Sequence, residues 1–330
     1  MSPVCRDRTP GATGSGPVLA DAAVPEAYDG WRRTPIAGDA SSRRYDRLTG
    51  PDGRTAILMT YPPGNTAEQA AFRTISEHLR GIGLVAPAIL APGPGPDQSV
   101  IDDLGRTDVA AHLSVRPADE TTIYDAAVDV LAVLAKAPPP PGLVSLSPRR
   151  AAEMVAPFFD WFLDGGPTDR RVPVTAALED ALARHASPPT ILSLRDFHAQ
   201  NMIWRPDATG TDRIGLLDFQ DAMLAPPEYD LASLTTDARR DVGGDVTSRA
   251  VERFARATGR RAGDVAASTA ILGVQRNLRI LGIFARLAKR DGKVGYLDLV
   301  PRVRRHVHNG LRHPAAAGLR PLLSDLVGAP

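Results

Sequence analysis

Two short apolar runs, each leading to an aspartate, constrain the fold of this chain more than any other feature. The first run, Ile191 to Leu194, leads to Asp196, and Asn201 follows further along. The second run, Ile214 to Leu217, ends at Asp218. Apolar runs of this length on either side of a turn-forming segment predict the two strands of a hairpin. Such a hairpin would bring Asp196, Asn201 and Asp218 to one end.

The residue types at this end predict phosphate and metal chemistry. Two carboxylates and an amide oxygen suit Mg²⁺, which takes few protein ligands and completes its shell with waters and phosphates. In kinases the same order recurs: the first aspartate accepts the proton of the attacking hydroxyl, and the later two groups hold the metal. Each residue alone could be an ordinary turn former or cap. Order, spacing and strand context together favour Asp196 as catalytic base and Asn201 and Asp218 as metal ligands.

Composition limits the other classes of function. The chain has 330 residues, 43% of them hydrophobic, which is enough for one bilobal unit or two domains. A net charge of +1, from 39 basic and 38 acidic residues, gives no charge excess for binding nucleic acid or an anionic membrane. One cysteine, no long apolar run and no signal-peptide core predict a cytoplasmic protein. We expect a monomer whose partners are small molecules.

The secondary-structure pattern divides the chain into three parts. Residues 1–25 are rich in Gly, Pro, Ser and Thr, which predicts a disordered arm. Residues 26–103 form the predicted N-lobe, and residues 104–330 form the predicted, mainly helical C-lobe. The fold class that follows is α+β: a protein-kinase-like bilobal fold with a small β-rich N-lobe and a larger helical C-lobe. A nucleotide would lie in the cleft between the lobes.

Individual elements are predicted from periodicity and turn residues. The N-lobe is expected to contain strands at 54–61, 84–90 and 99–101 and a helix from Thr66 to Leu79. In the C-lobe, apolar spacing predicts a helix through Met154, Phe158 and Phe162 and a long helix that starts at Asp264.

Nucleotide contacts are predicted at two places in the N-lobe. The segment Gly38 to Tyr45 places small residues before two arginines, so its backbone N–H groups could approach phosphate closely. A plain hairpin turn with solvated arginines is the alternative. Adenine would lie against the segment between the lobes, Val100 to Asp103. The predicted contacts are Ser41, Ser42, Arg43, Arg44, Ile101 and Asp103.

A row of arginines follows one side of the long predicted helix. It consists of Arg276, Arg279, Arg286 and Arg290, offset from the apolar stripe. A solvated helix face is one explanation. The other is that Arg276 and Arg279 face the cleft and bind an anionic or hydroxyl-rich substrate.

Several motifs resemble the aminoglycoside phosphotransferase-like family of small-molecule kinases. They are LRDFHAQN, LLDFQDA and PPEYDLASL around the predicted hairpin, GDASSRRY and DDLGR before it, and GVQRNLRILGIFARLAKRDGK after it. Within that family the resemblance is closest to the anomeric sugar kinases that phosphorylate N-acetylmuramate and N-acetylglucosamine at carbon 1. It implies a kinase-like bilobal enzyme that uses ATP and Mg²⁺ in peptidoglycan recycling. It also implies that Asp230 braces the catalytic loop and that Gly38 to Tyr45 is the phosphate loop.

The chain departs from the family pattern at two positions. Leu194 stands where many relatives have a histidine, and Met59 or a neighbour stands where a phosphate-binding lysine is expected. The lysines of the chain, Lys136, Lys289 and Lys293, all lie beyond the N-lobe. Replacement of the lysine by an arginine of the phosphate loop is the favoured explanation, with Arg44 preferred over Arg43.

The acceptor side of the site is predicted from residues beside the catalytic ones. Arg195, Gln220 and Asp221 are candidate sugar contacts, and the alternative for the last two is a loop-bracing hydrogen-bond pair. A kinase for another small alcohol, aminoglycoside-like or choline-like, is the nearest alternative function. The missing lysine also leaves a nucleotide-binding pseudokinase open.

Overall fold

The computed structural model describes residues 26–36, 43–166 and 168–329. The predicted arm at 1–25 lies outside these residues, as do Ser41 and Ser42 of the predicted phosphate loop. Within them, no helix combines the length and the apolar character that a membrane span requires.

The N-lobe is an antiparallel five-stranded sheet, in the order β1-β2-β3-β5-β4, with one long helix packed on it, as far as the described residues go. Its elements are β1 Arg32–Ile36, β2 Arg44–Thr49, β3 Thr55–Thr60, α1 Thr66–Gly81, β4 Ile89–Pro92 and β5 Gln98–Asp102. Successive side chains of a strand point to opposite faces. Ile57 and Met59 of β3 therefore pack toward α1, while Leu58 joins a small core on the other face.

The predicted strand at 84–90 is displaced in the structure. The strand begins only at Ile89, because Pro87 has no N–H to donate to a sheet ladder. The preceding segment instead contacts the C-lobe, where the carbonyl oxygen of Val85 accepts a 2.8 Å hydrogen bond from the backbone of Leu216. The α1–β4 connection therefore attaches the two lobes to each other. Because β5 ends at Asp102, we propose the lobe boundary at the predicted position, between residues 103 and 104.

The C-lobe is built around one long buried helix. Its helices within the described residues are α2 Val109–Val115, α3 Glu120–Lys136, α4 Pro148–Glu153, α5 Thr168–His185, α6 Tyr229–Thr235, α7 Gly244–Thr258, α8 Ala262–Asp291, α9 Val300–Arg312 and α10 Arg320–Val327. The apolar stripe of α8, including Ile271, Val274, Leu278 and Leu281, is fully buried. The periodicity of the sequence predicted this helix to within two residues of its start.

The single helix predicted through Met154 and Phe162 is wrong. The chain forms the short helix α4 and then a separate π-helical turn, Phe158–Phe162. Pro157, immediately before that turn, has no N–H for an α-helical bond. Helix α8 also crosses the backbone closely at this point, since a Cβ at Gly282 would lie 2.1 Å from the carbonyl carbon of Pro157.

Four short strands flank the predicted catalytic residues, but they pair differently from the prediction. They are β6 Ile191–Ser193, β7 Met202–Trp204, β8 Ile214–Leu216 and β9 Met223–Ala225. The two apolar runs recognised in the sequence, β6 and β8, do not pair with each other. Strand β6 pairs with β9, and β8 pairs with β7, a strand that the sequence prediction missed.

Candidate active site

Asp230 of α6 braces the loop between β6 and β7. Its carboxylate accepts hydrogen bonds from the backbone of Leu194 at 2.7 Å, the backbone of Arg195 at 3.0 Å and the hydroxyl of Ser193 at 2.9 Å. Its side chain is buried, and burial raises the pKa of Asp230 to about 6. The bracing role that the family resemblance implies for this residue is the one that its contacts perform.

Arg195 adopts a left-handed backbone conformation directly before the predicted base. Its φ of 69° is rare for a residue with a side chain, and such strain persists only where the surroundings hold it. Asp230 holds its N–H, and its carbonyl oxygen accepts hydrogen bonds from the guanidinium of Arg276 at 2.6 Å and from Ser233 at 3.4 Å. The backbone direction at Asp196 is therefore fixed from two sides.

Asp196 is held close to positive charge while remaining open to the cleft. Its side chain is 45% exposed, and its Oδ1 lies 4.0 Å from the Arg276 guanidinium. Burial alone would raise the pKa of Asp196, but neighbouring side chains hold it below its ordinary value. Those side chains, largest effect first, are Arg276, His198, Arg195 and Arg279. The carboxylate is therefore ionised at neutral pH and able to accept a proton.

Asn201 and Asp218 lie at the same end of the β7–β8 hairpin. The Nδ2 of Asn201 donates to the carbonyl oxygen of Asp196 at 2.9 Å, which ties the amide to the catalytic loop. The backbone carbonyl oxygen of Asn201 accepts a hydrogen bond from the backbone N–H of Leu217 at 3.0 Å. Asp218 follows Leu217 and has a φ of 57°, the second strained backbone position of the site. The predicted trio thus comes together, although through strand pairs other than the predicted one.

Arg43 connects the N-lobe to this end of the hairpin. Its guanidinium forms an ion pair with Asp218, donates to Gln220 at 2.8 Å and lies 3.1 Å from the Glu68 carboxylate of α1. The Arg43 side chain is buried, whereas Arg44 is exposed. The geometry therefore favours Arg43 for the phosphate-binding role that we predicted for Arg44.

The expected lysine position on β3 lies in the core. Met59 is fully buried and opposes Tyr45 and Ser99 on the neighbouring strands. A charged ammonium there would be removed from water, which is costly without a paired carboxylate. The N-lobe cation that pairs with Asp218 is instead Arg43, immediately before β2.

The predicted adenine contacts are engaged within the protein. Ile101 is buried in the core opposite Ile57, and Asp103 binds Arg47 at 2.6 Å and accepts from the backbone of Gly105 at 3.1 Å. The backbone of Val100 to Asp102 is also paired, with β3 on one side and β4 on the other. The adenine position itself stays a prediction.

The predicted sugar contacts fall into two groups. The side chain of Gln220 hydrogen-bonds Arg43 and Asp218 and so braces the loop. Asp221 takes part through its backbone, since its carbonyl oxygen accepts from Arg195 at 3.2 Å. The carboxylate of Asp221 remains exposed. Arg276 is buried against the catalytic loop, while Arg279 is only partly buried beside it. Sugar contact by any of these residues stays a prediction.

A comparison with known proteins decides the family. The sequence profile of the phosphotransferase enzyme family matches residues 32–269. This chain belongs to that family. It is therefore a phosphotransferase enzyme, and the predicted resemblance is confirmed.

Similarity to individual proteins supports the family assignment. The chain is 34% identical to the N-acetylmuramate/N-acetylglucosamine kinase of Caulobacter vibrioides, with 88% of this chain and 90% of that protein covered. It is 32% identical to the protein of the same name from Pseudomonas aeruginosa, with 93% and 94% covered. Among solved structures, the GDP complex of aminoglycoside 2′-phosphotransferase-IIIa has a TM-score of 0.62 at 13% identity, covering 88% of this chain and 94% of that one. The predicted protein-kinase-like fold of the phosphotransferase is confirmed.

The donor atoms of this phosphotransferase fit a magnesium ion. The amide nitrogen of Asn201 is used by the loop, which leaves its amide oxygen for a metal. Arg43 and Gln220 both donate to Oδ1 of Asp218, and among the described residues nothing donates to Oδ2. One carboxylate and one amide oxygen are the hard ligands with which proteins hold Mg²⁺ against phosphates.

Glu68 is the residue of the site that the sequence analysis missed. It lies in the first turn of α1, and Asn65 caps that helix. Kinases pair the phosphate-binding cation of the N-lobe with a glutamate on the helix of that lobe. A search of the predicted helix for such a glutamate would have found it.

Proposed function

We propose that this phosphotransferase transfers a phosphoryl group from ATP to the anomeric hydroxyl of an amino sugar, N-acetylmuramate or N-acetylglucosamine or both. The observation that carries the proposal is that Asp196, Asn201 and Asp218 lie together at one end of the β7–β8 hairpin, where Asn201 is hydrogen-bonded to Asp196 and to Leu217, the residue before Asp218. The names of the two bacterial relatives support the choice of sugar.

Asp196 is proposed as the general base. It is ionised at neutral pH, and the hydrogen bonds around Arg195 fix the direction of its backbone. An anomeric hydroxyl is more acidic than an ordinary alcohol, so a carboxylate of low pKa could take its proton late in a loose transition state. A positioned base typically contributes 10²- to 10⁴-fold to the rate.

Asn201, Asp218 and Arg43 are proposed to serve the phosphate side. Asn201 and Asp218 would hold Mg²⁺, which neutralises phosphate charge when bound. Arg43 is buried between Glu68 and Asp218, so its charge is fixed where a lysine would otherwise stand. A guanidinium can bind phosphate oxygens bidentately. This arrangement favours an active kinase over the pseudokinase alternative.

The cations beside the base favour a neutral or anionic acceptor. Arg195, Arg276 and Arg279 all act on the charge of Asp196. A polycationic aminoglycoside would be repelled by three guanidiniums, whereas an amino sugar with an acetylated nitrogen would not. We further propose that the enzyme is cytoplasmic and monomeric and acts on sugars recovered from peptidoglycan.

Regiochemistry tests the proposal. A coupled assay of ADP release would be run with N-acetylmuramate, N-acetylglucosamine and the methyl glycoside of N-acetylglucosamine, whose carbon 1 oxygen carries no proton. We expect both free sugars to react and the methyl glycoside to be inert, with phosphorus coupled to the carbon 1 proton in the NMR spectrum of the product. The variant Asp196→Asn serves as the control and should lose about 10²- to 10⁴-fold in turnover. Equal phosphorylation of the methyl glycoside would overturn the anomeric assignment.

A further inference from the structure

Arg276 and Arg279 lie one helical turn apart on α8, yet their surroundings differ. Both terminal nitrogens of the Arg276 guanidinium are engaged within the protein. The guanidinium donates to the carbonyl oxygen of Arg195 and to the hydroxyl of Ser233, each at 2.6 Å, and it lies 4.7 Å from the ring centre of Tyr229. Arg276 is therefore a support for the catalytic loop.

Arg279 is a cation without a counter-ion. Within residues 26–36, 43–166 and 168–329, no group forms a hydrogen bond with its guanidinium or an ion pair of 4 Å or less. The residue is nevertheless partly buried, and burial lowers its pKa. A partly buried guanidinium without an ion-pair partner gains from an anion that enters the site. Arg279 is therefore available to such an anion.

Several side chains of the site act on the charge of Arg279. Tyr229 and Asp196 raise its pKa, whereas Arg195 and Arg276 lower it. The Nε of Arg195 is buried without a hydrogen-bond partner, while its terminal nitrogen donates to the Asp221 carbonyl oxygen. The carboxylate of Asp221 is exposed beside this pair. Three guanidiniums, including Arg276, therefore surround Asp196, which leaves positive charge at the place where an acceptor would bind.

We propose that Arg279, assisted by Arg195, forms a carboxylate-binding subsite for the sugar acceptor. The assignment rests on the function proposed above, in which the acceptor is an amino sugar. N-acetylmuramate differs from N-acetylglucosamine by a lactyl ether that carries a carboxylate. Arg279 is the residue that distinguishes these two sugars, because a guanidinium binds a carboxylate through two parallel hydrogen bonds and gains nothing comparable from a hydroxyl.

The test compares the two sugars in matched variants of α8. Arg279→Gln removes the charge, Arg279→Lys keeps it, and Arg286→Gln removes a charge two turns further along the same helix. We expect Arg279→Gln to lower kcat/KM for N-acetylmuramate about 10- to 100-fold, the value of a charge-assisted hydrogen bond, and to change that for N-acetylglucosamine less than about threefold. Arg279→Lys should recover part of the loss, and Arg286→Gln should resemble the parent with both sugars.

Three outcomes would overturn the subsite. An equal loss with both sugars would mean that Arg279 acts on the transferred phosphoryl group. If Arg286→Gln lowered kcat/KM for N-acetylmuramate as much as Arg279→Gln does, the effect would come from the total positive charge of the helix. If kcat/KM were unchanged in Arg279→Gln, Arg279 would not contact the sugar. Thermal unfolding of each variant would show whether a loss in activity follows a loss of folding.

Binding calorimetry separates this inference from the proposed function. If the parent phosphorylates neither sugar but binds N-acetylmuramate more weakly after Arg279→Gln, the subsite stands and the proposed reaction fails. If the parent phosphorylates both sugars and Arg279→Gln affects them alike, the reaction stands and the subsite fails. Absence of both binding and turnover with either sugar would overturn both.

Discussion

The guanidinium of Arg276 donates a hydrogen bond of 2.6 Å to the carbonyl oxygen of Arg195, the residue before the proposed catalytic base. Arg276, near the middle of α8, thereby fixes the loop that carries Asp196. The same guanidinium reaches Ser233 at 2.6 Å, so one planar group joins α6, α8 and the catalytic loop.

Arg276→Lys should lower turnover without weakening nucleotide binding. A lysine ammonium is a point charge on a flexible stem and cannot reproduce the planar geometry that reaches two acceptors. Loss of one buried hydrogen bond costs about 1–3 kcal/mol, so we expect a 10- to 100-fold fall in kcat with an unchanged nucleotide KM. Arg290→Lys, on the exposed end of α8, is the control. Parental kcat in Arg276→Lys would show that the loop holds its conformation without this contact.

Arg43→Ala and Arg44→Ala should behave differently although the residues are adjacent. The Arg43 guanidinium is buried against Asp218 and Glu68, whereas the Arg44 side chain is exposed. We expect Arg43→Ala to weaken MgATP binding about tenfold or more, since a charged contact is worth about 1.5–3 kcal/mol, and Arg44→Ala to bind as the parent does. Calorimetry with MgATP measures both. Should Arg44→Ala give the larger loss, the phosphates lie on the other face of the β2 strand.

Asp218→Ala should abolish the dependence of nucleotide binding on Mg²⁺. The variant removes the charged member of the proposed metal pair, and Mg²⁺ depends on such oxygen ligands. ATP titrations with and without Mg²⁺ in the parent, in Asp218→Ala and in the exposed hairpin control Asp212→Ala provide the measurement. The metal lies elsewhere if Asp218→Ala binds MgATP as tightly as the parent.

Asp230 should make a stability contribution that depends on pH. Burial raises its pKa to about 6, above the value of about 4 expected in the unfolded chain. Between these values the folded chain holds a proton that the unfolded chain has lost, so the free energy of unfolding falls as pH rises, by at most about 1.4 kcal/mol per unit. Above about pH 6 the folded and the unfolded chain have both lost this proton, so the contribution of Asp230 to the free energy of unfolding no longer changes with pH.

Denaturant unfolding of the parent and of Asp230→Asn at several pH values isolates this contribution. The other titrating groups are common to both proteins, so their effects cancel in the difference. The stability of the parent relative to the variant should decline from pH 4 to pH 6 and then stay constant. A difference that grows with pH in this interval would contradict the raised pKa.

Gly282→Ala should destabilise the fold, whereas Gly273→Ala in the same helix should not. A Cβ at Gly282 would lie 2.1 Å from the carbonyl carbon of Pro157 and 2.3 Å from the amide nitrogen of Phe158. A Cβ at Gly273 meets only a methyl group of Thr236, at an ordinary 3.7 Å. Overpacking costs about 1–3 kcal/mol, and alanine gains roughly 0.5–1 kcal/mol over glycine inside a helix. Equal free energies of unfolding for the two variants would mean that the π-helical turn moves aside freely.

The order of residues along the chain is enough to predict much of this site. Asp196, Asn201 and Asp218 recur in kinase order, and the apolar stripe of α8 has a clear helical period, so these features can be recognised locally. Strand pairing cannot be recognised in this way, because β6 pairs with β9, a three-residue strand thirty or more positions further along the chain.

The choice between Arg43 and Arg44 could not be made from the sequence for a different reason. Consecutive residues at the start of a strand point to opposite sides, and a sequence does not indicate which side faces the cleft. Glu68 and Gln220, which hold Arg43 in place, come from distant parts of the chain. The direction of the Arg43 side chain is therefore a property of the assembled tertiary structure.

The attachment of Val85 to Leu216 has a consequence for the timing of the catalytic cycle. This backbone hydrogen bond and the Arg47 contacts with Asp103 and Gly105 join the lobes through the α1–β4 connection and the lobe boundary. At the catalytic end the lobes meet through side chains, at the ion pair between Arg43 and Asp218 and at the stacked rings of Phe72 and Phe219. Separation of side chains disturbs less structure than rupture of backbone pairing. Product escape would therefore proceed by a rocking motion that opens the catalytic end, at a rate that depends little on ionic strength because Arg43 is buried.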